Sequence, residues 1–128
     1  MNPSPWTKLH LHAMHELSIA MSIVEMAEEE AAQRGAPQVN AIHLKLGKLA
    51  GVVKGALLSA YELACEGTSL AGSRLVIEEV PIVVYCSTCL APRTLPSMQC
   101  FACPECNNPV SEVLQGRELQ VVALEINE

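Results

Sequence analysis

Five of the six cysteines in this 128-residue chain lie close together, and their spacing is the strongest chemical signal in the sequence. They occupy positions 86, 89, 100, 103 and 106. Cys86 with Cys89, and Cys103 with Cys106, form Cys-x-x-Cys pairs, and each such turn presents two sulfurs to one ion. Four thiolates in a tetrahedron are the usual ligands of a structural Zn²⁺ site without an open position. The spacing therefore predicts a structural zinc site on these four residues.

Cys100 leaves the choice of sulfurs ambiguous, because Cys100 and Cys103 also have Cys-x-x-Cys spacing. We favour Cys103 with Cys106, since Pro104 between them is typical of a rigid knuckle turn. Cys100 is then a spare thiol, and the isolated Cys65 is a packing residue. Two alternatives stay open at this point. A [4Fe–4S] cluster uses similar spacings, and the cysteines can also be free thiols or disulfides.

The charge balance argues against a nucleic-acid partner. The chain has 8 Lys plus Arg against 14 Asp plus Glu, for a formal net charge of −6. Between Cys86 and Cys106 the only charged residues are Arg93 and Glu105. Affinity for DNA and RNA comes largely from Lys and Arg that neutralise phosphates. We therefore expect the cysteine segment to have a structural or protein-docking role.

The N-terminal sequence indicates a cytoplasmic protein. It contains Pro3 and Pro5 and lacks the apolar stretch of a signal peptide. No segment approaches the roughly 18 uninterrupted apolar residues of a membrane span. We expect no membrane partner, and a reduced environment in which paired cysteines bind metal.

The segment Met14-His15-Glu16 is a second candidate site, at the start of the first predicted helix. Taken alone, His15 and Glu16 are typical of capping or surface residues, and Glu16 suits the positive end of the helix dipole. No Ser–His–Asp set, phosphate-binding loop or open zinc site is recognisable in the sequence. We therefore predict no enzymatic activity.

Two helices and three strands must position these residues. Apolar residues recur at helical spacing over 17–34 and 54–66, and with strand-like patterns over 39–46, 75–84 and 118–126. Met21 and Met26 are expected in the core, because Met fills gaps in aliphatic cores. Pro81 predicts a bend or an edge. The last strand is apolar on both faces, so we expect it to be central or sandwiched.

The predicted fold is α+β, with two helices on a small mixed three-stranded sheet and an inserted four-cysteine domain that resembles a zinc ribbon. The predicted regions are a flexible leader (1–13), an α+β domain (14–84 plus 111–128) and the insertion (85–110). The insertion has too few apolar side chains to form a core without an ion.

In their order along the chain, the motifs resemble the HypA/HybF family of hydrogenase nickel-incorporation proteins, over roughly residues 14–126. Besides the paired Cys-x-x-Cys turns, the matching features are Met14-His15-Glu16-Leu17-Ser18, Leu46-Gly47, Tyr61-Glu62, Gly67-Thr68, and Ala71-Gly72 with Leu75 and Ile77.

The resemblance implies a nickel metallochaperone that delivers Ni²⁺ to the large subunit of [NiFe] hydrogenase, and in some organisms to urease. It implies a partner GTPase, HypB. The implied nickel-binding residue is His15, with Glu16 beside it, and the implied zinc-binding residues are Cys86, Cys89, Cys103 and Cys106. We predict nickel binding by His15, Glu16 and Met14 together. The alternative is a zinc-ribbon adaptor that docks proteins and has no nickel role. Either a monomer or a homodimer is compatible with the sequence.

Nickel(II) favours nitrogen donors and planar four-coordination. If Met14 were the N-terminus, its amine, the His15 amide and the His15 imidazole would form fused chelate rings, and the Glu16 amide would supply a fourth nitrogen. The family motif normally begins the chain, whereas 13 residues precede it here. Met14 then carries an amide, which must lose a proton before it binds. His10 and His12 are close enough in sequence to contribute ligands.

Overall fold

The computed structural model describes residues 16–35 and 38–127. They contain the helices α1 (Glu16–Gln33) and α2 (Lys54–Cys65). The strands are β1 (Gln38–Gly47), β2 (Arg74–Val80), β3 (Ile82–Cys86), β4 (Ala91–Leu95), β5 (Glu112–Gln115) and β6 (Leu119–Asn127). The predicted α+β class is confirmed, and the strands form two three-stranded sheets instead of one. Neither described helix is long and apolar enough to cross a membrane. The leader predicted at 1–13 lies outside the described residues.

The described residues form two compact units. The helical unit contains the described residues up to Lys45, Val52–Glu78, and the chain from Leu119. The cysteine unit contains Leu46–Gly51 and Glu79–Glu118. The cysteine unit therefore includes residues on both sides of the predicted insertion. That 85–110 folds as a domain within 14–84 plus 111–128 stays a prediction.

Helix α1 buries one side, which consists of small and branched apolar residues: Ile19, Ala20, Ile23, Val24, Ala27 and Ala31. The core prediction for Met21 was wrong, because Met21 is 56% exposed. Met21 lies outside the side of the helix on which Ile23, Val24 and Ala27 are buried. The helix is followed by Gly35 at φ 67°, a left-handed conformation that glycine adopts readily after a helix.

Helix α2 packs beside α1 and buries Leu57, Tyr61 and Cys65. The Tyr61 hydroxyl hydrogen-bonds to Ser73 Oγ over 2.6 Å. Burial raises the pKa of Tyr61, so the phenol stays neutral. Cys65 is 4% exposed, which confirms its prediction as a packing residue.

The first sheet has the strand order β2-β1-β6. Among the described strands, β6 therefore pairs with β1 alone, and the prediction of a central position for it was wrong. Its Val122 is 44% exposed. The central strand is β1, in which Ile42 and Leu44 are almost fully buried. Apolar side chains on both faces of β6 thus did not show that it is the central strand, because an edge strand can carry them as well.

Pro81 divides the segment that the sequence pattern joined over 75–84. Strand β2 ends at Val80, and β3 begins at Ile82 in the second sheet. Proline lacks the N–H that continues a ladder, and its carbonyl accepts a hydrogen bond from Gln115 Nε2 at 3.1 Å. Strand β3 pairs antiparallel with both β4 and β5. These two strands were not predicted, because they are short and lack regular apolar alternation.

Gly47 allows two backbone segments of the cysteine unit to approach closely. Its N–H donates to the Glu118 carbonyl at 2.7 Å, and the Leu49 N–H donates to the Gly116 carbonyl at 2.7 Å. A Cβ atom at position 47 would lie 2.1 Å from the Gly116 oxygen. Any other residue would force the segments apart, which gives the Leu46-Gly47 motif a packing cause.

Candidate metal centre

The structure brings together the four cysteines that the sequence analysis selected. The sulfurs of Cys86, Cys89, Cys103 and Cys106 all lie within 4.8 Å of one another. Cys86 Sγ is 3.6 Å from Cys106 Sγ, and Cys89 Sγ is 3.9 Å from Cys103 Sγ. A tetrahedral Zn²⁺ with bonds of about 2.3 Å requires sulfurs about 3.8 Å apart. The two distances bracket that value, so the four residues form a metal-binding group.

Two similar turns present the sulfurs. In the first turn, which follows β3, the Cys89 N–H donates to Cys86 Sγ at 3.4 Å. In the second turn, the Asn107 N–H donates to the Cys103 carbonyl at 2.7 Å. Each turn is followed by a residue with positive φ, Leu90 at 56° and Asn107 at 65°. Left-handed backbone after the second cysteine therefore directs the chain away from the site in both turns.

The site is closed from the inner side. Cys86 and Cys103 are each 1% exposed and belong to a buried cluster with Ile82, Val84, Leu95 and Val110. Cys89 and Cys106 are half-buried and pack against this cluster. Asn108 Nδ2 donates to Cys106 Sγ at 3.5 Å and to Thr88 Oγ1 at 3.2 Å. With all four positions taken by sulfur, the arrangement is typical of a structural site and not of a catalytic one.

The pKa values of Cys86, Cys89 and Cys103 are shifted in different directions. Burial raises the pKa of Cys103, but the backbone N–H groups of Cys106 and Glu105 and the neighbouring thiols outweigh burial. The net result is a pKa lowered to about 6. The backbone N–H of Cys89 is the largest influence on Cys86 and lowers its pKa. Arg93 lowers the pKa of Cys89, yet the neighbouring thiols and burial together raise it to about 11. A central cation would relieve this mutual repulsion, so the pattern suits a site for a positive ion.

Arg93 is a site residue that the sequence analysis did not assign. Its guanidinium interacts with the thiols of Cys89 and Cys103, which raise the pKa of Arg93. The available signal was its isolation, since Arg93 is the only basic residue between Cys86 and Cys106. In the sequence alone, that isolation argued only against a nucleic-acid role.

The other candidate residues are not members of the metal-binding group of the described chain. Cys100 is exposed and stands outside the metal-binding group. His43, on β1, hydrogen-bonds to Glu125 at the surface. At the start of α1, Glu16 Oε2 accepts a hydrogen bond from the Val53 N–H at 3.2 Å. Met14 and His15 lie outside the described residues, so the nickel assignment stays a prediction.

Comparison with known proteins agrees with this arrangement. The model of the family described as "Hydrogenase/urease nickel incorporation, metallochaperone, hypA" matches residues 14–126. A hydrogenase maturation factor HypA from Chloroflexus aurantiacus is 51% identical over 112 residues, which cover 88% of this chain and 98% of the relative. The HypA of a Roseiflexus species is 50% identical over 112 residues, which cover 88% of this chain and 91% of the relative.

A solved structure supports the fold. The solution structure of the Ni metallochaperone HypA from Helicobacter pylori aligns with a TM-score of 0.59 at 23% identity, and covers 88% of this chain and 97% of that protein. The family match extends over nearly all of the described residues and includes both Cys-x-x-Cys turns. The chain therefore belongs to the HypA family of hydrogenase and urease nickel-incorporation metallochaperones.

Proposed function

We propose that this chain is a nickel metallochaperone that delivers Ni(II) for assembly of the [NiFe] hydrogenase active site or of urease. The observation that carries the proposal is the family match over residues 14–126, which begins at the Met14-His15-Glu16 segment and includes the four-cysteine group. The Chloroflexus relative, named a hydrogenase maturation factor, is matched over 98% of its length.

The four-cysteine group is proposed to hold Zn(II) as a structural ion. Two sulfur–sulfur distances, 3.6 and 3.9 Å, suit a zinc tetrathiolate. Two of the cysteines belong to the buried cluster of the cysteine unit, so an ion there stabilises the unit directly. Zinc with four thiolates offers no vacant position, and this favours a separate site for nickel.

The proposed nickel site uses nitrogen donors from Met14, His15 and Glu16. The Glu16 carboxylate supports this assignment, because it is already engaged by the Val53 N–H at 3.2 Å. Glu16 would then contribute its backbone nitrogen, while its side chain holds the start of α1 against the start of α2. Soft thiolates on zinc and nitrogens on nickel separate the two metals by ligand type.

A carrier of this kind needs binding and release, and no catalytic group. We propose that it acts in the cytoplasm as a monomer or homodimer, with the GTPase HypB and the hydrogenase large subunit as partners and without a nucleic-acid or membrane partner.

The test is a calorimetric Ni²⁺ titration of the zinc-loaded full chain, beside a form that starts at Met14. We expect one specific nickel per chain, lost in His15→Ala and retained in the control His43→Ala. Glu16→Gln should keep nickel, since it preserves the backbone nitrogen. Unchanged nickel affinity in His15→Ala would contradict the site. Zinc without any specific nickel in the unsubstituted chain would instead favour the protein-docking adaptor.

A further inference from the structure

The strand register places Arg93 on the inner face of the second sheet. Arg93 on β4 lies directly opposite Val84 on β3, and the neighbouring inward pairs are Cys86 with Ala91 and Ile82 with Leu95. Residues opposite each other in an antiparallel pair share a face. Ile82, Val84 and Cys86 all belong to the buried cluster. The Arg93 side chain therefore begins on the side of the sheet that carries the cysteines.

The Arg93 guanidinium has few hydrogen-bond partners among the described residues. Its Nε atom is buried and has no hydrogen-bond partner among the described residues. Its Nη1 donates to the adjacent Pro92 carbonyl at 3.2 Å. Among the described residues, the ion pairs of this structure include none between Arg93 and a carboxylate. The groups that interact with its charge are the thiols of Cys89 and Cys103.

Arg93 is half-buried with a buried Nε, and taking part of a charged guanidinium out of water is costly unless a negative charge compensates it. Four thiolates around Zn²⁺ leave a formal charge of −2, and the site has two buried and two half-buried sulfurs. Arg93 reduces that local charge to −1. Groups that hydrogen-bond to metal ligands tune the metal's affinity and the reactivity of the ligands.

We propose that Arg93 is a positioning cation of the four-cysteine site, whose guanidinium donates to the Cys89 and Cys103 thiolates and protects them from electrophiles. This inference rests on the proposed zinc site. A hydrogen bond from a cation withdraws electron density from a sulfur and makes it a weaker nucleophile. The two sulfurs lie on different knuckles, so a single side chain links both turns around the ion.

The experiment compares zinc release during alkylation by iodoacetamide in the zinc-loaded full chain. Free zinc is followed with a chromogenic chelator in the unsubstituted chain, Arg93→Met, Arg93→Lys and the control Arg117→Met. Arg117→Met removes the same charge from an exposed position of the same unit. Arg93→Met should release zinc roughly tenfold faster, the order expected for losing a hydrogen bond to a charged group. Arg93→Lys should be intermediate, and Arg117→Met unchanged.

A second measurement separates charge from packing. In the Co²⁺-loaded proteins, Arg93→Met should shift the sulfur-to-cobalt charge-transfer band to longer wavelength while the tetrahedral ligand-field bands persist. If Arg93→Met holds less than one zinc, Arg93→Lys is compared with Arg93→Gln, and the cationic variant should react more slowly. If every protein holds one zinc and all release it at equal rates, the proposed role of Arg93 is overturned and the zinc site still stands. A purified chain without zinc overturns the zinc site as well.

Discussion

The helical unit and the cysteine unit are stabilised in different ways. The helical unit buries aliphatic residues from α1, α2 and β1, such as Ile23, Leu57 and Ile42. In the cysteine unit, Cys86 and Cys103 are themselves members of the buried cluster. The same atoms there supply packing and would bind the proposed ion. We therefore expect the first unit to remain folded without metal and the second to depend on it.

The two proposed metal sites differ in how the fold holds their ligands. The four-cysteine site uses side chains that two turns of the folded chain hold within 4.8 Å of one another. The proposed nickel site uses backbone and imidazole nitrogens at the start of a helix. The described contact there is one hydrogen bond, from the Val53 N–H to Glu16. A permanent ion suits the first site and a transferable ion the second.

The largest expected effect comes from removing the structural metal. Cys103→Ala should abolish zinc binding, because it removes one of four ligands at a buried position. Structural zinc contributes on the order of 10 kcal/mol to small units. Hydrogen exchange should therefore show lost protection in the cysteine unit and retained protection in α1 and α2. Cys100→Ser, at an exposed position, is the control with unchanged zinc content. Equal loss of protection in both units would contradict the comparison.

The next largest effect tests the core of the helical unit. Ile23→Ala should lower the free energy of unfolding by about 2–5 kcal/mol, since Ile23 is 1% exposed. Met21→Ala should change it by less than about 0.5 kcal/mol, because Met21 is largely exposed. Urea denaturation followed by helical circular dichroism measures both, and zinc content should stay constant. A greater cost for Met21→Ala than for Ile23→Ala would show that the side of α1 that carries Met21 is the buried one.

A smaller effect is expected at the knuckle turns. Leu90 has φ 56°, and a left-handed conformation costs a non-glycine residue about 1–2 kcal/mol. Leu90→Gly should therefore raise the stability of the zinc-loaded chain by about 1 kcal/mol, offset in part by the greater freedom of glycine when unfolded. Asn107→Gly should have little effect, because Asn tolerates this conformation. Guanidinium denaturation tests both, and destabilisation by Leu90→Gly would refute the strain argument.

The smallest effect concerns a surface pair of the helical unit. The hydrogen bond from His43, followed by the charges of His43 and Arg74, lowers the pKa of Glu125 despite partial desolvation. The folded pKa is then below the unfolded value of about 4.3. The pair therefore stabilises the fold above that pH, and its contribution is lost as the pH falls through the folded pKa. Carboxyl-carbon NMR should show a low Glu125 pKa that rises in His43→Ala, with Glu118 as an internal control.

The sequence predicted the secondary structure of the helical unit within a residue or two at most boundaries. It did so because helical and strand periods are properties of neighbouring residues. It did not predict that β6 is an edge strand or that Met21 is exposed, since both depend on which surfaces meet. It also did not predict β4 and β5, whose strand conformation depends on pairing with β3.

The sequence by itself determined the family and the four sulfurs, because motif spacing and knuckle turns are local. Tertiary structure decided which other residues surround the four cysteines. It placed Cys86 and Cys103 in the buried cluster and separated Cys100 from the site. It also brought Arg93 to the inner face of the second sheet, through the register of β4 on β3. The physical reason is that a thiolate's surroundings depend on residues distant in sequence, and only the folded chain brings these together.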